Sequence, residues 1–125
     1  MSEIRTATIS DLAGTGPATL TGQYAAKAWV NFNGTGTLAI RESANVASIT
    51  DNGTGNYTLN FTAAMPDANY SLTGVSTWDT SNTSGSLFGT STDSLLTTSA
   101  QVYVYQTNSL FVSLDSHTVC VSITR

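Results

Sequence analysis

Apolar and polar residues alternate in short runs, and asparagine, aspartate or glycine closes each run before the next begins. Ala28, Val30 and Phe32 fall on one side of an extended segment, with Trp29 and Asn31 on the other. Asn33-Gly34-Thr35-Gly36 follows at once, and Asn and Gly accept the positive φ of a tight reversal. A period of two is the signature of a half-buried strand, and a helix cannot satisfy it. The return strand carries Leu38 and Ile40 inward. A third strand lies within residues 46–50, and Asp51-Asn52-Gly53-Thr54-Gly55 turns it back. Tyr57, Leu59 and Phe61 then point inward, and Thr58 and Asn60 outward.

Proline lacks the N–H that a ladder needs, so Met65-Pro66-Asp67-Ala68-Asn69 ends that strand. Residues 70–75 read as a fifth strand. Residues 76–94 are rich in Thr, Ser, Asn and Gly, with Trp78, Leu87 and Phe88 embedded, and read as a long surface loop holding a short strand near 86–90. Three more strands are expected at about 95–105, 110–114 and 118–124. In the last of these Val119, Val121 and Ile123 share a face. This spacing predicts an all-β chain, an antiparallel β-sandwich or jelly-roll-like single domain over residues 25–125. The first 24 residues spread Ile4, Ile9, Leu12 and Leu20 among Thr, Ala and Gly, and such a segment cannot bury a face alone. They are expected to form an extended N-terminal arm or docking leader.

Composition supports the same fold and excludes several functions. Charged residues are only 10% of the 125, so polar surface must come from the 22 Thr and 16 Ser. Threonine is β-branched and suits a strand with one wet face. The net charge is −4, and Arg5, Lys27, Arg41 and Arg125 are scattered, so no basic stripe for nucleic acid can be assembled. No apolar run is long enough to cross a membrane, and Met-Ser-Glu-Ile-Arg lacks the layout of a secretory signal. Cys120 is the single cysteine, so an internal disulfide is impossible.

The run Ala25-Ala26-Lys27-Ala28-Trp29-Val30-Asn31-Phe32-Asn33-Gly34-Thr35-Gly36-Thr37-Leu38-Ala39-Ile40-Arg41 resembles a segment of virion structural proteins from tailed bacteriophages. Ser48-Ile49-Thr50-Asp51-Asn52-Gly53-Thr54-Gly55-Asn56-Tyr57-Thr58-Leu59-Asn60-Phe61, continuing through Met65-Pro66-Asp67-Ala68-Asn69-Tyr70, is similar to the same family. Ile9-Ser10-Asp11-Leu12-Ala13-Gly14-Thr15-Gly16-Pro17 is similar to the leaders that precede it. The likeness spans roughly residues 4–70 and fades from Leu72 onward. It implies a virion component, tail-fibre-like or otherwise particle-associated and trimeric in many members, and it transfers no catalytic residue.

His117 is the only histidine, beside Asp115 and Ser116. Consecutive turn residues rarely converge as a Ser-His-Asp relay must, so a plain turn is expected. Asp51, Asp67 and Asp115 sit at turns, where Asp bonds to nearby backbone, rather than forming a hydrolytic carboxylate pair. One His and one Cys cannot build a zinc site, and no metal or cofactor is expected. Asn33, Asn52, Asn56, Asn60, Asn69 and Asn82 each open an Asn-x-Ser/Thr triplet, which reads as a by-product of composition. Cys120 reads as a small packing residue on a strand face. The aromatics remain. Trp29, Tyr103 and Tyr105 are out of phase with the core set and are candidate subunit-interface residues, with a strand buried on both sides as the alternative. Trp78 and Phe88 are candidates for a glycan or partner contact, with loop anchoring as the alternative.

The expectation from sequence is therefore a non-enzymatic phage virion protein, a tail fibre, tip or adaptor component. It would form a homotrimer, attach to other virion proteins through residues 1–24 and bind host surface glycan. A capsid decoration or cement protein is the alternative, and a polysaccharide depolymerase the remote one.

Overall fold

The computed structural model describes residues 25–77, 86–106 and 112–125. Among these residues there is no helix, and the strands are β1 (Ala26–Asn33), β2 (Ala39–Ala44), β3 (Val46–Asp51), β4 (Asn56–Phe61), β5 (Ser71–Thr77), β6 (Ser86–Leu95), β7 (Ser99–Gln106) and β8 (Thr118–Thr124). They form two four-stranded sheets, ordered β2-β1-β8-β5 and β3-β4-β7-β6. Every pairing is antiparallel. The sheets pack face to face as a β-sandwich.

The strongest alternation in the sequence marks the strands at the centre of each sheet. Ala28, Val30 and Phe32 of β1 and Val119, Val121 and Ile123 of β8 face Tyr57 and Leu59 of β4 and Ala100, Val102 and Val104 of β7; all are buried. Burying a side chain of Val, Leu or Phe size contributes about 1.5–3 kcal/mol, so these four strands carry most of the cohesion. Edge strands contribute half-buried Ile40, Ile49, Leu72 and Leu95 around that centre. Phe61 closes one end edge-to-face against Tyr70, with ring centroids 6.1 Å apart.

Both anticipated reversals form as expected. In the β1–β2 turn, Asn33 Oδ1 accepts from Thr35 N–H at 3.1 Å and from Thr35 Oγ1 at 2.8 Å. In the β3–β4 turn, Asp51 Oδ1 accepts from Gly53 N–H at 2.9 Å. A third corner had no glycine to announce it. Asn45, at φ 56°, lets the chain leave the first sheet at Ala44 and enter the second at Val46. Its side chain donates to the Lys27 and Ala63 carbonyls at 3.0 and 3.1 Å and accepts from Ala63 N–H at 2.7 Å. It thus ties β1 of one sheet to the segment that leaves β4 of the other.

Two expectations need correction. Residues 95–105 are not one strand: β6 runs through Leu95, and the chain reverses at residues 96–98 before β7. There Leu96 N–H donates to the Ser99 carbonyl at 2.9 Å. The Thr98 and Thr97 carbonyls accept from Phe61 and Met65 N–H at 2.9 and 2.7 Å. Contacts to a distant segment hold this turn, so no local breaker residue was needed. The short strand expected near 86–90, inside the loop read over 76–94, is β6 and runs on through Leu95. The strand expected at 110–114 is, within its described part, a single bridge between Ser113 and Tyr105.

Gly36 and Gly55 share nearly the same φ, +62° and +64°, but not the same surroundings. A Cβ on Gly36 would meet open space. On Gly55 it would collide with the Val104 carbonyl oxygen and come within 2.7 Å of Leu114 N. Gly36→Ala should cost about 1–2 kcal/mol of left-handed strain. Gly55→Ala should add steric displacement and lose about 3–5 kcal/mol in all. Urea unfolding of both variants measures the difference, and equal losses would refute the steric account.

Candidate functional site

A sandwich normally turns one polar face of each sheet to water. The β2-β1-β8-β5 sheet departs from that. Alternation places Trp29 and Asn31 outward on β1, and register brings Trp29 opposite Ser122 and Asn31 opposite Cys120 of β8. On the other side of β8, Thr73 pairs with Ser122 and Val75 with Cys120. Small Ser122 and Cys120 form a floor between larger Trp29 and Val75, giving a groove of about 510 Å³ lined mainly by apolar atoms. Trp29 is 39% exposed and Val75 is 59% exposed. Both are among the most accessible large apolar side chains described. The Cys120 thiol is free and faces this groove, not the core.

Arg41 is bonded to Asn31, one of the groove's lining residues. The β1–β2 register slips between Asn31, opposite Glu42, and Phe32, opposite Ile40, leaving Arg41 as the extra residue of a bulge. A bulge re-aims its side chain. Here the guanidinium crosses β1, donating to Asn31 Oδ1 at 3.1 Å, to Thr118 Oγ1 at 3.4 Å and to the His117 carbonyl at 2.6 Å.

Tyr103 and Tyr105 project from the outward face of the opposite sheet. Their rings are 11° from parallel with centroids 6.0 Å apart. The residues grouped by sequence as interface candidates therefore sit on opposite sides of the molecule. Trp78 lies outside the described residues, and Phe88 is described through its backbone, paired with Val104.

Asp115, Ser116 and His117 point to three different partners. Asp115 Oδ1 accepts from the Tyr57 hydroxyl at 2.7 Å and from Gly55 N–H at 2.8 Å. Ser116 Oγ bonds to the Thr77 carbonyl and lies 3.2 Å from that of Thr118. His117 Nδ1 lies 3.3 Å from Arg41 Nη2. The three lie in an irregular segment that bends at His117, and they do not converge. Asp67 likewise accepts from Asn69 N–H at 2.8 Å and pairs with Arg125, whose guanidinium holds its carboxyl below the usual range. Among the described residues no three His, Cys, Asp or Glu side chains gather as a metal site.

Comparison with protein-family models, curated proteins and solved structures finds no match to this chain.

Burial first, and then the Asp115 carboxylate it bonds to, push the Tyr57 phenol well above its ordinary 10.0. A group whose folded value is raised resists ionising, while the unfolded chain ionises freely above its ordinary value. Stability is therefore intact below pH 10.0 and lost progressively as pH rises through and beyond it. Tyr57→Phe should lower stability by about 1–3 kcal/mol near neutrality, since Asp115 loses a donor. The same variant should flatten the decline between about pH 9 and pH 11, leaving the part owed to Tyr70, which burial also raises. Urea midpoints across that range test it; an unchanged slope would contradict it.

Proposed function

We propose that this chain is a structural, non-enzymatic component of a tailed-bacteriophage virion, a tail fibre, tip or adaptor part, that assembles as a homotrimer. Attachment to other virion proteins is through residues 1–24. The observation that carries self-association is the groove walled by Trp29 and Val75, on a sheet face that would ordinarily be polar. Large exposed aromatics beside aliphatic walls are what interface centres are made of. The virion assignment and the number three rest on the sequence resemblance over roughly residues 4–70.

Light scattering of the purified chain should give three times its 13.1 kDa mass at micromolar concentration. Trp29→Asp, outward-facing and so costing about 1 kcal/mol or less in fold stability, should shift the mass to that of one chain. A clean monomer in the parent protein would sink the trimer. Gold-labelled antibody on purified virions should mark a few sites at the tail. Dense labelling over the head would instead identify a capsid decoration protein, and unlabelled particles would remove the virion reading. A chain lacking residues 1–24 should fold but fail to attach.

A further inference from the structure

We infer that Asn52 is a site of spontaneous deamidation, closing on the Gly53 nitrogen with the Asp51 carboxylate as proton acceptor. The inference goes beyond the virion reading and holds whatever the chain assembles with. It starts from sequence. Asparagine followed by glycine is the pair most open to this reaction, because glycine puts no Cβ beside the attacking nitrogen. The chain has two such pairs, Asn33-Gly34 at the β1–β2 turn and Asn52-Gly53 at the β3–β4 turn. Sequence alone ranks them equal, and the fold separates them.

The attack needs a nitrogen relieved of its proton and room for a five-membered ring. Gly53 N–H donates to Asp51 Oδ1 at 2.9 Å, within the reach of a general base. That bond runs along N–H, in the peptide plane, and leaves the faces of the nitrogen open to Asn52 Cγ. Residues 51–54 are all exposed, and a Cβ on Gly53 would meet nothing within 4 Å. The Asn52 amide nitrogen, which is the leaving group, donates to Thr58 Oγ1 at 2.8 Å and to Asn56 Oδ1 at 3.4 Å. Both bonds are at the surface, where water replaces them readily. As the bond from Gly53 N to Cγ forms and the Cγ–Nδ2 bond breaks, Asp51 takes the proton from the Gly53 nitrogen. It returns that proton to the departing nitrogen, which leaves as ammonia. Water then opens the cyclic imide. Addition at Cγ gives aspartate at position 52, and addition at the main-chain carbonyl carbon gives isoaspartate. Either product adds one negative charge to the chain's −4.

Asn33 is protected on every count. Its Oδ1 accepts from Thr35 N–H and Oγ1, and its Nδ2 donates to the Thr35 carbonyl at 3.0 Å, so both ends of the amide are held. Gly34 is buried, and its N–H donates to the Ser116 carbonyl at 2.9 Å. A carbonyl oxygen is far too weak a base to take that proton. The space beside Gly34 is filled by the Tyr57 ring and hydroxyl, which is itself bonded to Asp115. Ring closure at Asn33 therefore waits on opening of these contacts, and its rate is cut to the fraction of time they are open.

The test incubates the full chain in warm, mildly alkaline buffer made with heavy-oxygen water. Each Asn-Gly peptide is then followed by mass spectrometry, with fragmentation that separates aspartate from isoaspartate. Asn52 should convert about tenfold or more faster than Asn33, gaining one heavy oxygen per event as a mixture of both products. In the guanidinium-unfolded chain the two should convert at similar rates, which identifies the fold as the source of the difference. Asp51→Ser should slow Asn52 several-fold and leave Asn33 unchanged, whereas Tyr57→Phe should speed Asn33 and leave Asn52 unchanged. Equal rates in the folded chain, or an Asn52 that stays intact, would overturn the site. Asp51→Ser at the parent rate would overturn Asp51 as proton acceptor, and an Asn33 no faster in Tyr57→Phe would overturn the protection assigned to that contact. The folded-against-unfolded comparison needs no variant, so it decides the site whatever a substitution does to the turn.

Discussion

Tyr57 reaches from β4 to the end of the core, where its hydroxyl donates to Asp115 Oδ1 at 2.7 Å and lies 3.2 Å from the Gly34 carbonyl. Four stretches far apart in sequence meet there. Gly34, in the β1–β2 turn, donates its N–H to the Ser116 carbonyl at 2.9 Å. Gly55, in the β3–β4 turn, donates to Asp115 and accepts from Val104 N–H of β7 at 2.8 Å. Leu114 N–H donates to the Val104 carbonyl at 3.0 Å. Two hairpin turns that belong to different sheets are thereby fastened to one segment, which fixes how the sheets sit on each other. The arrangement tolerates no Cβ at Gly34, which would collide with the Tyr57 hydroxyl and come within 2.9 Å of its ring carbon Cζ. Phe32 packs edge-to-face on the same ring at 5.1 Å, so the polar fastening sits directly on the apolar core. A phenol in this position supplies both a core side chain and a donor to the half-buried Asp115 carboxylate.

The faces of β1, β4 and β8 were legible from alternation alone, because a strand central to a sheet must commit each side chain to one side. The two glycine-rich reversals were legible for a local reason, positive φ. What escaped was held by distant partners. Asn45 turns a corner because Lys27 and Ala63 receive its side chain. The reversal at residues 96–98 exists because β4 and its exit supply donors to two threonine carbonyls. Asp115-Ser116-His117 read as a plain turn, yet the grip of Asp115 on Tyr57 lies 58 positions away in sequence and leaves no local mark.

The groove was half legible. Trp29 stood out of phase with Val30 and Phe32, which marks an outward ring. Its neighbours could not be found that way, since Cys120 and Val75 join it only because β8 inserts between β1 and β5. Cys120 reads as packing when its own strand is considered alone; register makes it floor. The tyrosines show the converse. Trp29, Tyr103 and Tyr105 share one property in sequence, being out of phase with the core, and periodicity carries no information about which sheet a strand joins. Topology separates them.

That separation bears on assembly. If the groove of one copy met the tyrosine face of the next, the contacting patches would lie on opposite sides of each sandwich. Repeating such a contact propagates a stack and does not close a ring. A closed trimer through the Trp29 groove would therefore have to set the groove against a different patch of the next copy, such as a sheet edge or a turn. The edge strand β5 supplies one wall of the groove, so a copy approaching it would meet a sheet edge beside apolar walls. In such an assembly, apolar burial and strand-edge pairing would act on the same side of the molecule. The Tyr103 and Tyr105 rings, on the opposite sheet, would lie away from that contact.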